Sequence, residues 1–421
     1  MKARFRHPGL VIVLLVCAAL PGARPAGAQE SAPAPAPVDV PLPLDEWVRA
    51  GEIEEIPWEV QVSPAYLRTD QRLAVDFTLR VPGPALNSLG PTHELFWLVR
   101  LQEPGGAWLN SDEPGRTPLE HPLTERNELE IILTALLRPG KYRAAILLYD
   151  RLSDKRSLAV REFEVGPLRP EPLPEAFRNL PPVEFLTAVS GWDAYFQPEL
   201  QGKLWLPLQT KRPVELEILV NFSTTKQYSG RLVAHYVNLK QVMGMLKPLT
   251  EIQLTNGRVS VTGFDLNARK VIFEQEDLTE LDWPRLREAV SAMNPRVVSV
   301  EELLASQQRA AYFRDLLGER LHSRGDHRGG SGSSDAQPAP YRVFIVVSHY
   351  TLFPQGSDLT PVPAPEKCDC RVYYLRFQLG RASWDELEAV MKRLKPRRFE
   401  IRRPRDLRRA LATILNELGK L

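Results

Sequence analysis

Three oxygen-bearing side chains, Asn221, Ser223 and Thr225, fall at alternate positions directly after the apolar run Val214 to Val220. Amide and hydroxyl oxygens at that spacing can gather around a hard divalent cation, or one hydroxyl can serve as a nucleophile. His349 follows a second apolar run, Val343 to Val347, and Asp282 lies in the stretch between them, close to Thr279. Magnesium and manganese favour oxygen sets that include one or two carboxylates. Asn221 and His349 supply none, and an imidazole softens the set. The expectation is therefore no tight magnesium or manganese at Asn221, Ser223, Thr225 and His349, with Asp282 the one carboxylate that could add charge. Zinc at His349 lacks the further nitrogen or sulfur ligands it requires. Cys368 and Cys370 are a candidate disulfide, and two ligands alone do not make a metal site.

Enzymatic readings find little to build on. Of the seven histidines, His7 lies in the first apolar segment and His322 and His327 in a Gly/Ser-rich stretch, leaving His93, His121, His235 and His349. There is no GxSxG, HExxH or Walker-type phosphate loop. No Asp–His pair can be placed beside Ser223 from the sequence, so a hydrolase is the minor reading. The chain is read as non-catalytic, with no cofactor.

Two kinds of element must position these residues. From 46 to 166 the apolar pattern has period two: Trp58, Val60 and Val62; Leu73, Val75, Phe77 and Leu79; Leu129, Ile131 and Leu133; Tyr142, Ala144, Ile146 and Leu148. Short alternating strands parted by Pro, Gly, Asp and Asn predict an antiparallel sandwich. The turn Pro139-Gly140-Lys141-Tyr142 resembles the tyrosine corner of immunoglobulin-like sandwiches. The prolines from Pro167 to Pro182 read as a semi-rigid linker, with a lead-in to 213. From 214 to 421 strands and helices alternate. Val259 to Phe264 and Val271 to Phe273 are predicted to form a hairpin about Asn267-Ala268-Arg269. A helix is expected from about Tyr236, ending at Pro248. Another is expected from the Ser299/Glu302 capping box to about Leu321, and a third from the Ser383/Glu386 box. Residues 322–340, rich in Gly, Ser, Asp and Arg, read as a flexible insertion.

This succession resembles a von Willebrand factor A domain, a doubly wound, Rossmann-like α/β fold. With the preceding immunoglobulin-like sandwich, the whole chain is similar to the exported VWFA-related proteins of Acidobacteria. The family's cation site is Asp-x-Ser-x-Ser after the first strand, a threonine from a second loop, and an aspartate after the fourth strand. Here Ser223 and Thr225 match the two hydroxyls, Asn221 replaces the first aspartate, and His349 stands where the last is expected. The resemblance implies a degenerate metal-ion-dependent adhesion site, and partner binding or adhesion through loops Asn221–Lys226, Glu276–Trp283 and His349–Cys370. An envelope scaffold is the alternative.

The first residues fit an export signal. Lys2, Arg4 and Arg6 precede an apolar run from Leu10 to Leu20, and Ala26-Gly27-Ala28 forms a cleavage site. The run is too short to span a membrane, no later stretch reaches that length, and 29–45 is an Ala/Pro-rich leader. Localisation is expected in the periplasm or outside the cell. The full chain of 421 residues carries 54 basic and 52 acidic side chains. Cleavage after Ala28 would leave 50 basic against 52 acidic residues, a balance that selects no partner class. One local excess stands out, ten Lys and Arg between 392 and 409 against Glu400 and Asp406. It reads as a solvated edge or a surface for an anionic partner. Nucleic acid is not expected outside the cytoplasm.

Overall fold

The computed structural model describes residues 42–110, 115–186, 200, 202–223, 231–293, 300–322, 340–364, 369–377 and 385–421. The export signal and the expected cleavage site lie outside these residues. So do 323–339 of the insertion and the capping serines Ser299 and Ser383. Residues 46–421 belong to one compact unit.

Helix α1 (Leu44–Ala50) begins within the stretch expected as leader. Antiparallel strands follow: β1 (Ile53–Glu54), β2 (Glu59–Val62), β3 (Tyr66–Leu67) and β4 (Leu73–Pro82), then the short helix α2 (Gly83–Asn87). Next come β5 (His93–Gln102), β6 (Leu109–Asn110), β7 (Gly115–Leu119), β8 (Glu128–Leu137), β9 (Gly140–Asp150) and β10 (Lys155–Val165). One sheet has the order β1-β10-β9-β5-β6, with β7 also on β5. The second contains β8-β4-β2, with β3 on β4. Alternation puts Val75, Phe77 and Leu79 of β4 into one core with Leu95 and Val99 of β5 and Ala144, Ile146 and Leu148 of β9. The Tyr142 hydroxyl lies 2.9 Å from the Arg138 carbonyl and 3.1 Å from that of Pro182, so its single proton ties the β8–β9 turn to the proline-rich segment.

That segment is packed, not a free spacer. Leu168, Ala176, Phe177 and Leu180 are buried in the same core, and β11 (Val183–Phe185) joins the second sheet beside β8. The proline pattern reports stiffness but not burial. Hiding a side chain such as Phe177 contributes about 1.5–3 kcal/mol, enough to draw the segment onto the core. Downstream, β12 (Leu206–Leu208) pairs in parallel with β14 (Ile252–Leu254), a two-stranded sheet the periodicity did not reveal.

The remaining elements build a mixed α/β layer: β13 (Val214–Asn221), α3 (Arg231–Thr250), β15 (Gly257–Asp265), β16 (Lys270–Gln275), α4 (Trp283–Ser291), α5 (Val300–Leu304), α6 (Arg309–His322), β17 (Tyr341–His349), β18 (Cys370–Phe377), α7 (Glu386–Met391), β19 (Arg397–Ile401) and α8 (Pro404–Leu418). The order is β16-β15-β13-β17-β18-β19, with all pairs parallel except the β15–β16 hairpin. Helices α3, α4 and α8 share the apolar cluster of one face, and that cluster is continuous with the sandwich core. Helices α6 and α7 cover the other face. Burial on both faces explains the uninterrupted apolar runs Ile218–Val220 of β13 and Val343–Val347 of β17.

Three expectations on the helices need correction. Pro248 does not end α3, which runs to Thr250 and gives up the one N–H bond that Pro248 cannot make. The helix expected from Ser299 to Leu321 is broken after Leu304 by a tight turn at Ser306–Gln308. α7 starts at Glu386, where the Asp385 carboxylate accepts the Leu387 N–H and so caps the helix.

Candidate functional site

The strand order reverses about β13 and β17, so a crevice is expected at their carboxyl ends. Asn221 and Ser223 lie at the end of β13 and Ser348 and His349 at the end of β17, and all four are buried. Thr225 lies outside the described residues.

The amide of Asn221 is committed on both sides. Its Nδ2 donates to Ser348 Oγ at 2.8 Å, and its Oδ1 accepts the Ser223 N–H at 3.0 Å. The Ser223 hydroxyl accepts the Leu266 N–H at 2.6 Å and is hydrogen-bonded to the Asp265 carboxylate. Burial raises the Asp265 carboxyl above its ordinary range, opposed by N–H bonds from Asn267 and Ala268 and by Ser223. His349 places Nδ1 2.7 Å from the Tyr350 carbonyl and Nε2 3.1 Å from the Ser223 carbonyl. Burial lowers its pKa, while those carbonyls and Asp385 pull the other way. A neutral ring has one N–H, so only one of the two carbonyls can be served at a time.

The polar chain extends to the sheet edge. The Tyr374 hydroxyl of β18 donates to Asp385 at 2.6 Å, and Asp385 also accepts the Thr351 N–H at 3.0 Å. Arg376 lies 3.6 Å from Asp385 and pairs with Glu400 of β19. Sequence reasoning missed Asp265 and Asp385, the two buried carboxylates of this end. A polar residue closing an apolar strand was the signal for Asp265; Asp385 gave none beyond its place before a helix.

Asp282 is elsewhere. β16 runs antiparallel to its neighbours, so the segment after it emerges at the amino ends of the parallel strands. There Leu278 N–H bonds Val259 O, and Asp282 caps α4 by accepting the Arg285 N–H at 3.0 Å. Loop Glu276–Trp283 therefore does not border the crevice. Its place is taken by the Leu266–Arg269 turn and the Leu304–Gln308 turn, where Arg269 pairs with Gln308 and Gln307 donates to the Gln355 carbonyl at 3.1 Å. This rim exposes Val300 (70 %), Leu304 (82 %) and Leu352 (40 %).

Asn221, Ser223 and His349, the described members of the predicted set, are turned to protein partners. Asn221 turns its amide to protein partners, the Ser223 oxygen is already bonded on two sides, and neither nitrogen of His349 faces them. Among the described residues no group of three or more His, Cys, Asp or Glu is arranged to hold a metal. Cys370 is disulfide-bonded, and Cys368 lies outside the described residues. No described helix is long and apolar enough to cross a membrane.

No family model and no curated protein matches the chain. Among solved structures it is similar to a von Willebrand factor type A protein from Catenulispora acidiphila (11% identity, 67% of this chain and 47% of that one, TM-score 0.26). It is also similar to the ArnB paralog VWA2 from Sulfolobus acidocaldarius (7% identity, 65% and 50%, TM-score 0.25). The chain spans about half the length of these two. The architecture is mixed α/β, with a largely parallel six-stranded sheet and antiparallel sheets before it. Similarities this distant say nothing about activity or partners.

Proposed function

We propose that the chain is an exported, non-catalytic binding protein of von Willebrand factor A type. In this reading an immunoglobulin-like sandwich carries a doubly wound domain whose metal-ion-dependent adhesion site is degenerate, and a protein partner is held at its carboxyl end without a cation. The observation that carries the reading is the inward commitment of Asn221, Ser223 and His349. Groups that would face a cation bond one another and the adjoining loops instead. Exposed Val300, Leu304 and Leu352 beside them supply the apolar surface that a protein contact uses.

The test is capture of partners from native envelope by the full chain, with and without EDTA. Capture that survives chelation and falls on Leu304→Asp with an unchanged melting temperature supports the reading. Capture lost in EDTA overturns it. A hydrolase at Ser223 is disfavoured because His349 Nε2 addresses the Ser223 carbonyl, not its hydroxyl. A serine-reactive probe labelling Ser223 would reinstate it. An envelope scaffold remains the second reading, favoured by the charge pattern of the sheet edges described next.

A further inference from the structure

The α/β sheet ends in two strands of opposite charge. β19 forms one edge and, among the described residues, no strand pairs with its outer side. The cations around it are sorted by their contacts. Arg408 is buried against Glu171 and does not belong to the surface. Arg397 pairs with Glu417, and Arg398 with Glu388 and Glu400. Lys392, Arg393 and Lys395 at the foot of the strand and Arg402 and Arg403 at its head are exposed; the Arg402 and Arg403 N–H groups donate to the Asp406 carboxylate, and among the described residues no ion pair engages the five side chains.

The opposite edge is β16. Glu274 lies on it, and Glu276, Asp277, Glu280 and Asp282 follow directly, the last four exposed. Glu274 pairs with Arg320 of α6 and Lys203 lies 3.6 Å from Glu280, while Lys270 stands at the other end of β16 and Arg285 lies over the Phe273 ring. β16 carries no proline and exposes Val271. It carries Lys270 and Glu274 and a register shift against β15, so the edge is protected in part and not by proline.

We infer that the chain associates head to tail with copies of itself, the acidic β16 edge of one copy pairing with the basic β19 edge of the next. β16 runs against the other strands, so a neighbour continuing the sheet in the same sense presents its β19 antiparallel to it. In that arrangement Glu276, Asp277 and Glu280 lie toward the end of β19 bearing Lys392, Arg393 and Lys395. Lys270 lies toward the other end, which bears Glu400 with Arg402 and Arg403, so the attraction is concentrated at the first. Pairing β19 with a second β19 would set base against base, so a two-fold dimer through that edge is disfavoured. A heterologous contact of this kind builds rows, open or closed into a ring according to the rotation between neighbours. Contacts between exposed charges weaken with salt, so these rows disperse as ionic strength rises.

Sedimentation velocity of the full chain across concentration, at low salt and at about 0.5 M salt, tests the inference. The expected result is a weight-average sedimentation coefficient that climbs with concentration at low salt and stays monomeric at high salt. Lys392→Glu/Arg393→Glu and Glu276→Lys/Glu280→Lys change exposed side chains. Each double variant alone should associate at least about tenfold more weakly at an unchanged melting temperature, and an equimolar mixture of the two should associate again. A wild type that stays monomeric at low salt overturns the inference. So does association indifferent to both reversals, or a mixture that stays monomeric. None of these residues lies at the Leu304 rim, so failure here is separable from failure of partner capture there.

Discussion

Arg408 of α8 and Glu171 of the proline-rich segment form a two-point ion pair, with Nε at 2.8 Å and Nη2 at 2.9 Å from the two carboxylate oxygens. The guanidinium also donates to the Leu173 carbonyl at 3.1 Å and lies 4.6 Å from the centre of the Phe177 ring. A planar, five-donor fork suits this site, and an ammonium would not. The pair joins the last helix to the segment that links the sandwich to the α/β layer. The two parts are thereby held together by chemistry, not only by the continuity of the chain.

Removing one partner should cost more than removing both. Glu171→Gln leaves the buried Arg408 guanidinium without its counter-charge and should destabilise by about 3 kcal/mol, with the electrostatic cost of Arg408→Met smaller because the stranded Glu171 carboxylate keeps some contact with water. The double variant should fall short of the sum of the singles. Denaturant unfolding of the three variants measures the coupling, and strict additivity would show that the pair contributes nothing.

Lys247 of α3 is buried near Asp70, Arg72, Glu184 and Glu251, where Arg72 pairs with Glu184 at 2.9 Å and Glu251 accepts the Leu204 N–H at 2.8 Å. Burial lowers its pKa to about 8, against the attraction of Asp70 and Glu251. In the window from about 8 to its ordinary 10.5 the unfolded chain holds this proton and the native chain does not. Stability should therefore rise with pH through that window, by up to about 3 kcal/mol from this group. Lys247→Met should remove the rise. The difference in unfolding free energy between wild type and variant, followed from pH 7 to about 9.5, before tyrosines intervene, checks it. A constant difference would contradict the assignment.

His349 gives the opposite experiment on the acid side. Its folded pKa is depressed by burial, so the native state resists a proton that the unfolded chain accepts. The stability tied to the neutral ring is present above the ordinary histidine pKa and is lost as pH falls below it. His349→Gln should flatten the loss between pH 7 and 5 in thermal unfolding. If wild type and variant lose stability in parallel, the ring is not the source.

Restoring the first aspartate should not restore a cation. Asn221→Asp loses the donor to Ser348 and should destabilise by about 1–3 kcal/mol. Calorimetric titration should show no micromolar magnesium or manganese affinity in wild type or variant. Ser223→Ala strands the Leu266 N–H and should cost a similar amount. Micromolar binding in wild type that Ser223→Ala abolishes would reverse the cation-free reading.

Much of the architecture was legible from the residues. The apolar run of β17 announced a strand covered on both faces, Leu216, Ile218 and Val220 announced β13, and Asn267-Ala268-Arg269 announced the β15–β16 hairpin. The alternation of Val75, Phe77 and Leu79 announced a sandwich face. These patterns are local: burial imposes a period, and the period survives in the chain. The same hairpin also implied that β16 ends at the amino edge of the sheet. Asp282 could have been excluded from the crevice on that ground.

Other features depend on which distant groups meet. Composition marked the proline-rich segment as stiff, but only packing against Phe177, Leu180 and Arg408 made it part of the core. Ten clustered cations looked alike in sequence, and the fold withdrew Arg408 from the surface and neutralised Arg397 and Arg398. Asn221, Ser223 and His349 were visible as a set with too few anions. That they turn toward Ser348, Asp265 and the Tyr350 carbonyl was decided by tertiary structure, because a hydrogen bond requires a partner's position and the sequence records only its identity.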